Sequence, residues 1–551
     1  MQGILFSSKR QNKFDTYRPP QIIDTRYLYQ SLPLQHLCSR LRIRSFTIRK
    51  RRLIMHFPER VYGTENELGL TRVLPDGTFQ GFDDGGLPIT MLPIAIKHIP
   101  NSIHCYTPGH PRIWHSNGGS TYVDTGYHPE HSTPECRSIR DAVRYNKAGE
   151  FLAAQVFHEP MSPLGKLLLF KNNIGLDSQG RRHGDFGAHE NYMVYRQNII
   201  DPKEGSRLIP FLITRQIIDG AGLWSREGYS FSQRAHAVTK EFGSGTTSDR
   251  PIINTKATAD TGDQVRLHLI LGDANILEFA TYLKIGTTAL VLNLIEGGQV
   301  PQIVCTNCVK NMEEVCTHYD TLEPLVELLH TDGTKDKKSA YDVQVIYLEA
   351  AKRELKSGSF DSEETEAELK HVATSWEQTL NAIYNRDRAW MLGRLDHVTK
   401  KYLGECQLRR SMPDDPFSTL KDIETLYHGI TDRTFQNRLN GAWSDRRLLR
   451  DEEVADAMIN PPAHTRAICR SQYINLLIEY GIKKSDHIDW TDFKNDCTFP
   501  EKLVFRCPHP LKWDKEKFEA FLENVRARYD PIKGTSAMPP EPHGYAAQPP
   551  Y

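Results

Sequence analysis

The sequence predicts an α+β protein, on three observations. Residues 61 to 298 consist largely of short strand-like segments punctuated by Gly, Pro and Asn. Beyond Gly298 the pattern turns helical, with apolar residues at i, i+3 and i+4 in Tyr341 to Leu355, Glu368 to Tyr384 and Trp390 to Tyr402. Between them, Glu278 to Leu294 has the length and spacing of a mostly buried helix. A chain of 551 residues is too long for one simple core, so two or more domains are expected. The composition, 39% hydrophobic and 25% charged, is that of a soluble globular protein. A formal net charge of +0 gives no global pull toward nucleic acid or membrane. No apolar run approaches the ~18 residues that a bilayer span needs. The ten cysteines are scattered and no secretory signal precedes them, which favours reduced thiols and a cytoplasmic location.

The first 54 residues hold twelve Lys and Arg against only Asp15 and Asp24. Such an Arg-rich, acid-poor leader suits a transit peptide, a nucleic-acid arm, or a segment that is not translated. Met55 opens M-H-F-P-E-R-V-Y-G-T-E, so residues 1–54 are expected to be disordered or to precede the true start. After them, Tyr62 to Gly69 (Y-G-T-E-N-E-L-G) reads as a strand whose spacing of two puts Glu65 and Glu67 on one face. Two carboxylates on one face of a buried strand repel unless a cation sits beside them, and Mg²⁺ prefers such oxygen ligands.

Thr71 to Ser116 is rich in Gly, Pro and His and reads as a loop or lid, with a short buried segment around Ile89 to Ile99. Thr121 to Val123 is a strand in which Tyr122 and Asp124 share a face. Ala142 to Val156 is helical, and Leu167 to Phe170 is a short buried strand leading into Lys171-Asn172-Asn173. His189 to Tyr192 opens another strand, and Ile209 to Ile218 is apolar and β-rich. Ser232 to Ala235, Arg250 to Thr255 and Arg266 to Asn275 follow as strands and turns. Asp361 to Glu368 is a solvated helix start. Asn460-Pro461-Pro462 marks a boundary, giving a catalytic domain over 55–459, a small C-terminal domain over 460–531 that ends near Tyr529, and a proline-rich disordered tail over 532–551.

The polar residues are acid-heavy with spaced arginines: Glu65, Glu67, Asp124, Glu130, His189, Arg234 and Arg250. Carboxylates that hold Mg²⁺ and guanidiniums that hold phosphate form the electrostatic clamp of phosphoryl transfer. Neither G-x-x-x-x-G-K-[ST] nor a strand-borne G-x-G-x-x-G is present, which leaves the glutamine-synthetase-like way of binding ATP on an acidic sheet. Cys305, Cys308, Cys316 and His318 give C-x₂-C-x₇-C-x-H, a spacing that fits no common zinc site, and they are read as ordinary thiols. His128 is read as a turn residue shaping the Glu130 loop. No G-x-S-x-G supports a serine hydrolase.

Several blocks carry a specific resemblance: G-T-E-N-E-L-G, Y-V-D-x-G-x-H-P-E, F-K-N-N, H-E-N-Y, S-Q-R-A, R-P-I-I-N-T, R-L-H-L-I-L-G-D-A-N and T-Y-L-K-I-G-T-T-A-L-V-L, then N-P-P-A-H-T-R at Asn460 to Arg466. In this order they resemble the Pup ligase and depupylase (PafA/Dop) family, carboxylate-amine ligase-like enzymes that attach or remove the prokaryotic ubiquitin-like protein Pup. The resemblance implies a glutamine-synthetase-like antiparallel sheet cradle with helices on its back and a small C-terminal domain closing over the nucleotide. It implies ATP and Mg²⁺ as cofactors and Pup or a Pup-like modifier, with its conjugates, as partner. It makes Glu65, Tyr122 and Glu130 metal ligands with Glu67 and His189 as further members. Asp124 becomes the catalytic aspartate, Thr133 and Trp490 nucleotide contacts, and Arg234 a phosphate contact. The chain departs from the family at Ser120, where Arg is frequent, and at Lys256, where I-N-T-R has become I-N-T-K and the bidentate fork is lost.

Direction is read from finer features. G-T-E rather than G-I-E, the Arg140 to Glu150 stretch, Thr281 to Leu292 and N-P-P-x-x-T-R lean toward the depupylase. Against them, only 59 positions (124 − 65) separate Glu65 from Asp124, too few for the depupylase insertion, and Gly126 to Cys136 is ligase-like. Packed strands are weighted above loop length, so the expected activity is an ATP/Mg-dependent depupylase or deamidase acting on the C-terminal Glu/Gln amide or isopeptide bond of Pup. The alternatives are a Pup–protein ligase and a degenerate binding scaffold.

Overall fold

The computed structural model describes residues 54–533, apart from 74–78, 82–100, 106–110, 125, 159–165, 177–181, 196–201, 247–248, 259–262, 484–487 and 496–502. The basic leader over 1–53, the tail over 534–551 and the Ile89 to Ile99 segment therefore lie outside the described residues. No helix among the described residues is long and apolar enough to cross a membrane.

The E-x-E strand sits at the centre of a nine-stranded sheet. In chain order its strands are β1 (Tyr62–Glu67), β2 (Ser102–Cys105), β3 (Arg112–His115), β4 (Ser120–Val123), β5 (Pro129–Ser132), β6 (Ala188–Tyr195), β7 (Lys240–Gly243), β8 (Pro251–Thr258) and β9 (Gln264–Leu269). Across the sheet they run β7-β8-β9-β6-β1-β5-β4-β3-β2. Every neighbouring pair is antiparallel except β7–β8. The architecture is thus α+β with a predominantly antiparallel sheet, as the sequence predicts.

Burial along β1 alternates. Tyr62, Thr64 and Asn66 are buried, while Gly63, Glu65 and Glu67 are partly open on the other face. The buried side meets helix α1 (Ile139–His158), and helix α2 (Glu278–Glu296) packs on α1 and on the neighbouring strand β6. Asn146 of α1 donates to Thr64 Oγ1 at 2.7 Å. In α2 every residue except Glu296 is buried, which explains why its sequence is apolar on all sides. A main core gathers α1, α2, α3 (Ala340–Leu355) and α4 (Glu363–Tyr384) behind the sheet. Ser339 and Asp342 form a reciprocal cap on α3, and Ser362 caps α4.

A second core joins Ile103, Cys105 and Trp114 of β2 and β3 to α5 (Ala467–Glu479), α6 (Lys515–Tyr529) and the hairpin of Asp492–Asn495 with Leu503–Arg506. Glu135, just after β5, ties this core to the sheet: Arg466 Nε donates to it at 2.7 Å, and Arg470 pairs with its other oxygen.

Four expectations differ from what is observed. Ile209 to Ile218 forms two buried helical turns, Ile209–Thr214 and Gln216–Asp219, because Pro210 opens a helix and the run is enclosed on every side. Trp390 to Tyr402 is not one helix; Arg388–Met391 stops and Asp396–Ser411 begins after Gly393, whose φ of +73° a continuous helix does not accommodate. The Thr71 to Ser116 loop supplies β2 and β3, both hidden in a Gly/Pro/His-rich composition. The Tyr62 to Gly69 strand ends at Glu67, and Gly69–Val73 pairs in a separate small sheet with Lys166–Phe170.

Candidate nucleotide and metal site

The sheet register aligns the predicted site residues in rows on the open face. Arg112, Tyr122, Glu130 and Glu67 form one row, through the pairs Arg112–Tyr122, Tyr122–Glu130 and Glu130–Glu67. Trp114, Ser120, Ser132, Glu65 and His189 form the next. Gly63, Asn191 and His268 form a third. Residues scattered along two hundred positions therefore meet because strand pairing is in register and side chains alternate.

Glu65 Oε2 lies 3.3 Å from His189 Nδ1 and 3.4 Å from His268 Nε2, and Arg266 donates to Glu65 Oε1 at 3.0 Å. Glu67 Oε1 is 3.8 Å from His189 Nε2, and Glu130 Oε1 is 3.8 Å from His189 Nδ1. Glu67 also accepts the Gly187 amide at 2.6 Å, and its Oε2 is 3.4 Å from His128 Nδ1. Asp124 accepts the backbone N–H of His128 at 2.6 Å, closing the turn after β4. His128 thus shapes the turn, as read, and its ring also bridges Glu67 and Asp124.

Electrostatics sort these carboxylates. Burial pushes Glu65 up, but Arg266 and hydrogen bonds from His189 and His268 outweigh it and hold Glu65 well below the usual carboxylate range. Burial opposes ionisation of Glu67 too, yet His128, His189 and Arg234 bring it to about 2. For Glu130, burial and the charges of Glu65, Glu67 and Asp124 prevail and push it well above its ordinary value. Asp124 is raised by burial and by Glu67. Tyr122, half-buried beside Glu130 and Glu65 with its hydroxyl 2.9 Å from Ser132 Oγ, is also pushed well up by desolvation and by those two charges.

The carboxylate oxygens of Glu65, Glu67, Glu130 and Asp124 fit a hard divalent cation, with imidazole nitrogens beside them. Glu65, His189 and His268, then Glu67, Glu130 and His189, then Glu67, Asp124 and His128 each bring three ligand atoms within 4.8 Å. His189 Nε2 is buried without a hydrogen-bond partner among the described residues. The charge that raises Glu130 is what a bound cation relieves.

Beside these rows opens a cavity of about 560 Å³, lined by Gly63, Glu65, Thr133, Glu135, Asn191, Arg266, Arg466 and Trp490. Thr133 and Trp490 are therefore both on the cavity wall. Thr133 Oγ1 accepts the Thr64 amide at 3.0 Å, and Trp490 stands edge-on to Trp114 with ring centroids 4.9 Å apart. Arg234 is placed by Asp273, which accepts from Ser232 Oγ and from the Gln233 and Arg234 amides. Its guanidinium donates to Ile270 O at 3.2 Å on the Glu67 side. Arg250 is paired with Asp185 at 2.7 Å.

Other motifs resolve as scaffolding. Lys171 of F-K-N-N donates to Asn146 Oδ1, Glu150 Oε1 and the Asn275 carbonyl. Cys305 Sγ accepts from Asn311, Cys308 Sγ donates to Cys305 O, and Cys316 Sγ faces Ser232 O and His236 instead. Sequence reasoning passed over Arg112, Arg266 and His268 at the site, although R-L-H in β9 carries the same spacing-of-two signal as E-x-E.

Comparison with known proteins agrees with this geometry. The model of the Pup-ligase protein family matches residues 89–494. A Pup–protein ligase of Acidimicrobium ferrooxidans is 32% identical over 85% of this chain and 99% of its own length. One of Kineococcus radiotolerans is 33% identical over 75% of this chain and 90% of its own. Among solved structures, the complex between Pup and its ligase PafA superposes with a TM-score of 0.72 at 28% identity, covering 86% of this chain and 95% of that one. PafA in complex with ADP gives 0.66 at 28% identity, covering 80% and 93%.

Fold and site together define a carboxylate-lined, antiparallel-sheet protein with a nucleotide-sized cavity. The chain belongs to the Pup-ligase protein family. This overturns the depupylase, deamidase or isopeptidase reading, since the relatives are named as ligases. The blocks that favoured the depupylase lie in strand β1, in helices α1 and α2 and in the turn after Asn460, and as scaffold they carry no direction, whereas the short span between Glu65 and Asp124 pointed to the ligase.

Proposed function

We propose that this chain is a Pup–protein ligase that uses ATP to join the C-terminal glutamate side chain of Pup, or a Pup-like modifier, to a substrate lysine. The observation that carries the reading is the row of Glu130 and Glu67 beside Asp124, with a cavity of nucleotide size next to it. A carboxylate does not react with an amine unaided, so ligation needs an activated acyl group. In the proposed reaction a modifier carboxylate oxygen attacks the γ-phosphorus and ADP leaves. The lysine nitrogen then attacks the acyl carbon, phosphate departs, and Asp124 takes the proton lost by the amine. Burial and the Glu67 charge make Asp124 a stronger base than a free aspartate.

Glu65, Glu67, Tyr122, Glu130 and His189 would hold Mg²⁺, which when bound offsets the phosphate charge. Thr133 and Trp490 would contact the nucleotide, with Arg234 beside the phosphates. The PafA–ADP and PafA–Pup structures support nucleotide and modifier as ligands. The domain division at Asn460 is proposed from the second core, as a catalytic body with a smaller part that walls the nucleotide.

The test is mass spectrometry of the purified chain with Mg-ATP, a Glu-ended modifier and an acceptor protein. New conjugates with stoichiometric ADP are expected; ATP left unhydrolysed and no conjugate, with the acceptor intact, would refute the reading. A dead scaffold would also show no magnesium-dependent nucleotide binding by calorimetry.

A further inference from the structure

Arg112 stands on the open face of the sheet with no anionic partner among the described residues. Its guanidinium carbon lies 3.9 Å from the Tyr122 ring centroid, and Nη1 donates to Ser120 Oγ at 2.6 Å. The same carbon is 5.3 Å from the Trp114 ring and 6.0 Å from Trp490, which lines the cavity. The other arginines around the cavity are already committed: Arg266 to Glu65, and Arg466 and Arg470 to Glu135. Arg112 is half-buried and held by an aromatic face and one neutral hydroxyl, which orient the fork but satisfy only one of its five N–H groups.

A guanidinium without a counter-charge is costly to desolvate unless an anion completes it. Its place narrows the anion. Arg112 ends the row that runs through Tyr122 to Glu130 and Glu67, so it faces the strip between Trp490 and the carboxylates. A nucleotide with its base against Trp490 and its phosphates toward the carboxylates spans that strip. We propose that Arg112 is a nucleotide-binding residue whose guanidinium donates to phosphate oxygens. This rests on the ligase reading, which puts the nucleotide in the cavity. Stacking on Tyr122 leaves the outer edge of the guanidinium plane free for a bidentate contact.

The test is calorimetric titration of Mg-ATP and of adenosine into the full chain and into Arg112→Met, Arg112→Lys and Arg112→Met/Ser120→Arg. Loss of a charge-assisted bidentate contact is expected to weaken Mg-ATP roughly tenfold or more in Arg112→Met, with adenosine changed less than about twofold. Arg112→Lys should fall between, since it keeps the charge and loses the fork. The double variant should regain affinity, because a side chain at 120 starts from the atom that Arg112 now touches. Adenosine and Mg-ATP weakened alike, or Mg-ATP unchanged in Arg112→Met, would overturn the assignment. So would a rise in modifier KM with nucleotide affinity intact. If the parent chain itself bound no Mg-ATP, the ligase reading would fall, and this assignment with it.

Discussion

Glu135 ties the sheet to the second core, and neutralising it should loosen both. It accepts from Arg466 and Arg470, two guanidiniums buried with it, and Arg470 also donates to the Trp490 carbonyl at 2.9 Å. Burial opposes its charge, but the two arginines bring its pKa from 4.5 to about 2. At 1.36 kcal/mol per unit, that shift corresponds to about 3 kcal/mol of stabilisation at neutral pH. Glu135→Gln keeps the shape and removes the charge, leaving two cations without a partner, so a loss of about 3 kcal/mol is expected. For roughly 415 described residues unfolding as one unit, this lowers Tm by about 3 °C. Urea unfolding followed by tryptophan fluorescence suits the measurement, because Trp114 and Trp490 pack in this region. Mg-ATP should also bind more weakly, since Arg466 and Trp490 line the cavity. Adding Arg470→Met to Glu135→Gln should recover part of the loss by removing one stranded charge. A Glu135→Gln variant within about 0.5 kcal/mol of the parent would refute the reasoning.

Glu65→Gln and Asp124→Asn should separate binding from chemistry. The first is expected to lose magnesium-dependent nucleotide binding and ligation together. The second should keep binding while ligation falls by about 10²–10⁴-fold; calorimetry beside a conjugation assay distinguishes them, and equal nucleotide loss in both would undo the split. Acid stability offers an independent check. Glu135 and Glu150 both sit at about 2 in the fold, against 4.5 ordinarily. Between those values the unfolded chain binds more protons, so their contribution is complete above pH 4.5 and drains away as pH falls toward 2. Urea midpoints across that range should drop steeply, and Glu150→Gln should flatten part of the slope.

Much of the site was legible because it depends on short-range rules. Spacing of two on a strand put Glu65 with Glu67 and Tyr122 with Asp124, and register then carried them together. What escaped depends on distant partners. Ile209 to Ile218 is β-branched and reads as strand, yet packing on all sides makes it helical. Glu135 gives no sign in the sequence that Arg466 and Arg470, more than three hundred positions later, neutralise it. Arg112 lay in a stretch whose Gly, Pro and His content hides two strands. Direction of reaction was misread, because the blocks weighed for it belong to a strand, two helices and a turn of the scaffold.

The second core has a consequence for how the protein comes off the ribosome. Strands β2 and β3 emerge early, but Ile103, Cys105 and Trp114 are covered by α5, the late hairpin and α6, which are synthesised last. Until then one margin of the sheet presents bare apolar side chains, and the wall that Trp490 supplies does not exist. A nascent chain halted before Ala467 would therefore carry the whole carboxylate cluster and yet lack the nucleotide chamber. Closure of the cavity waits for the segment from Ala467 onward, and a copy that lacks it keeps those apolar side chains uncovered.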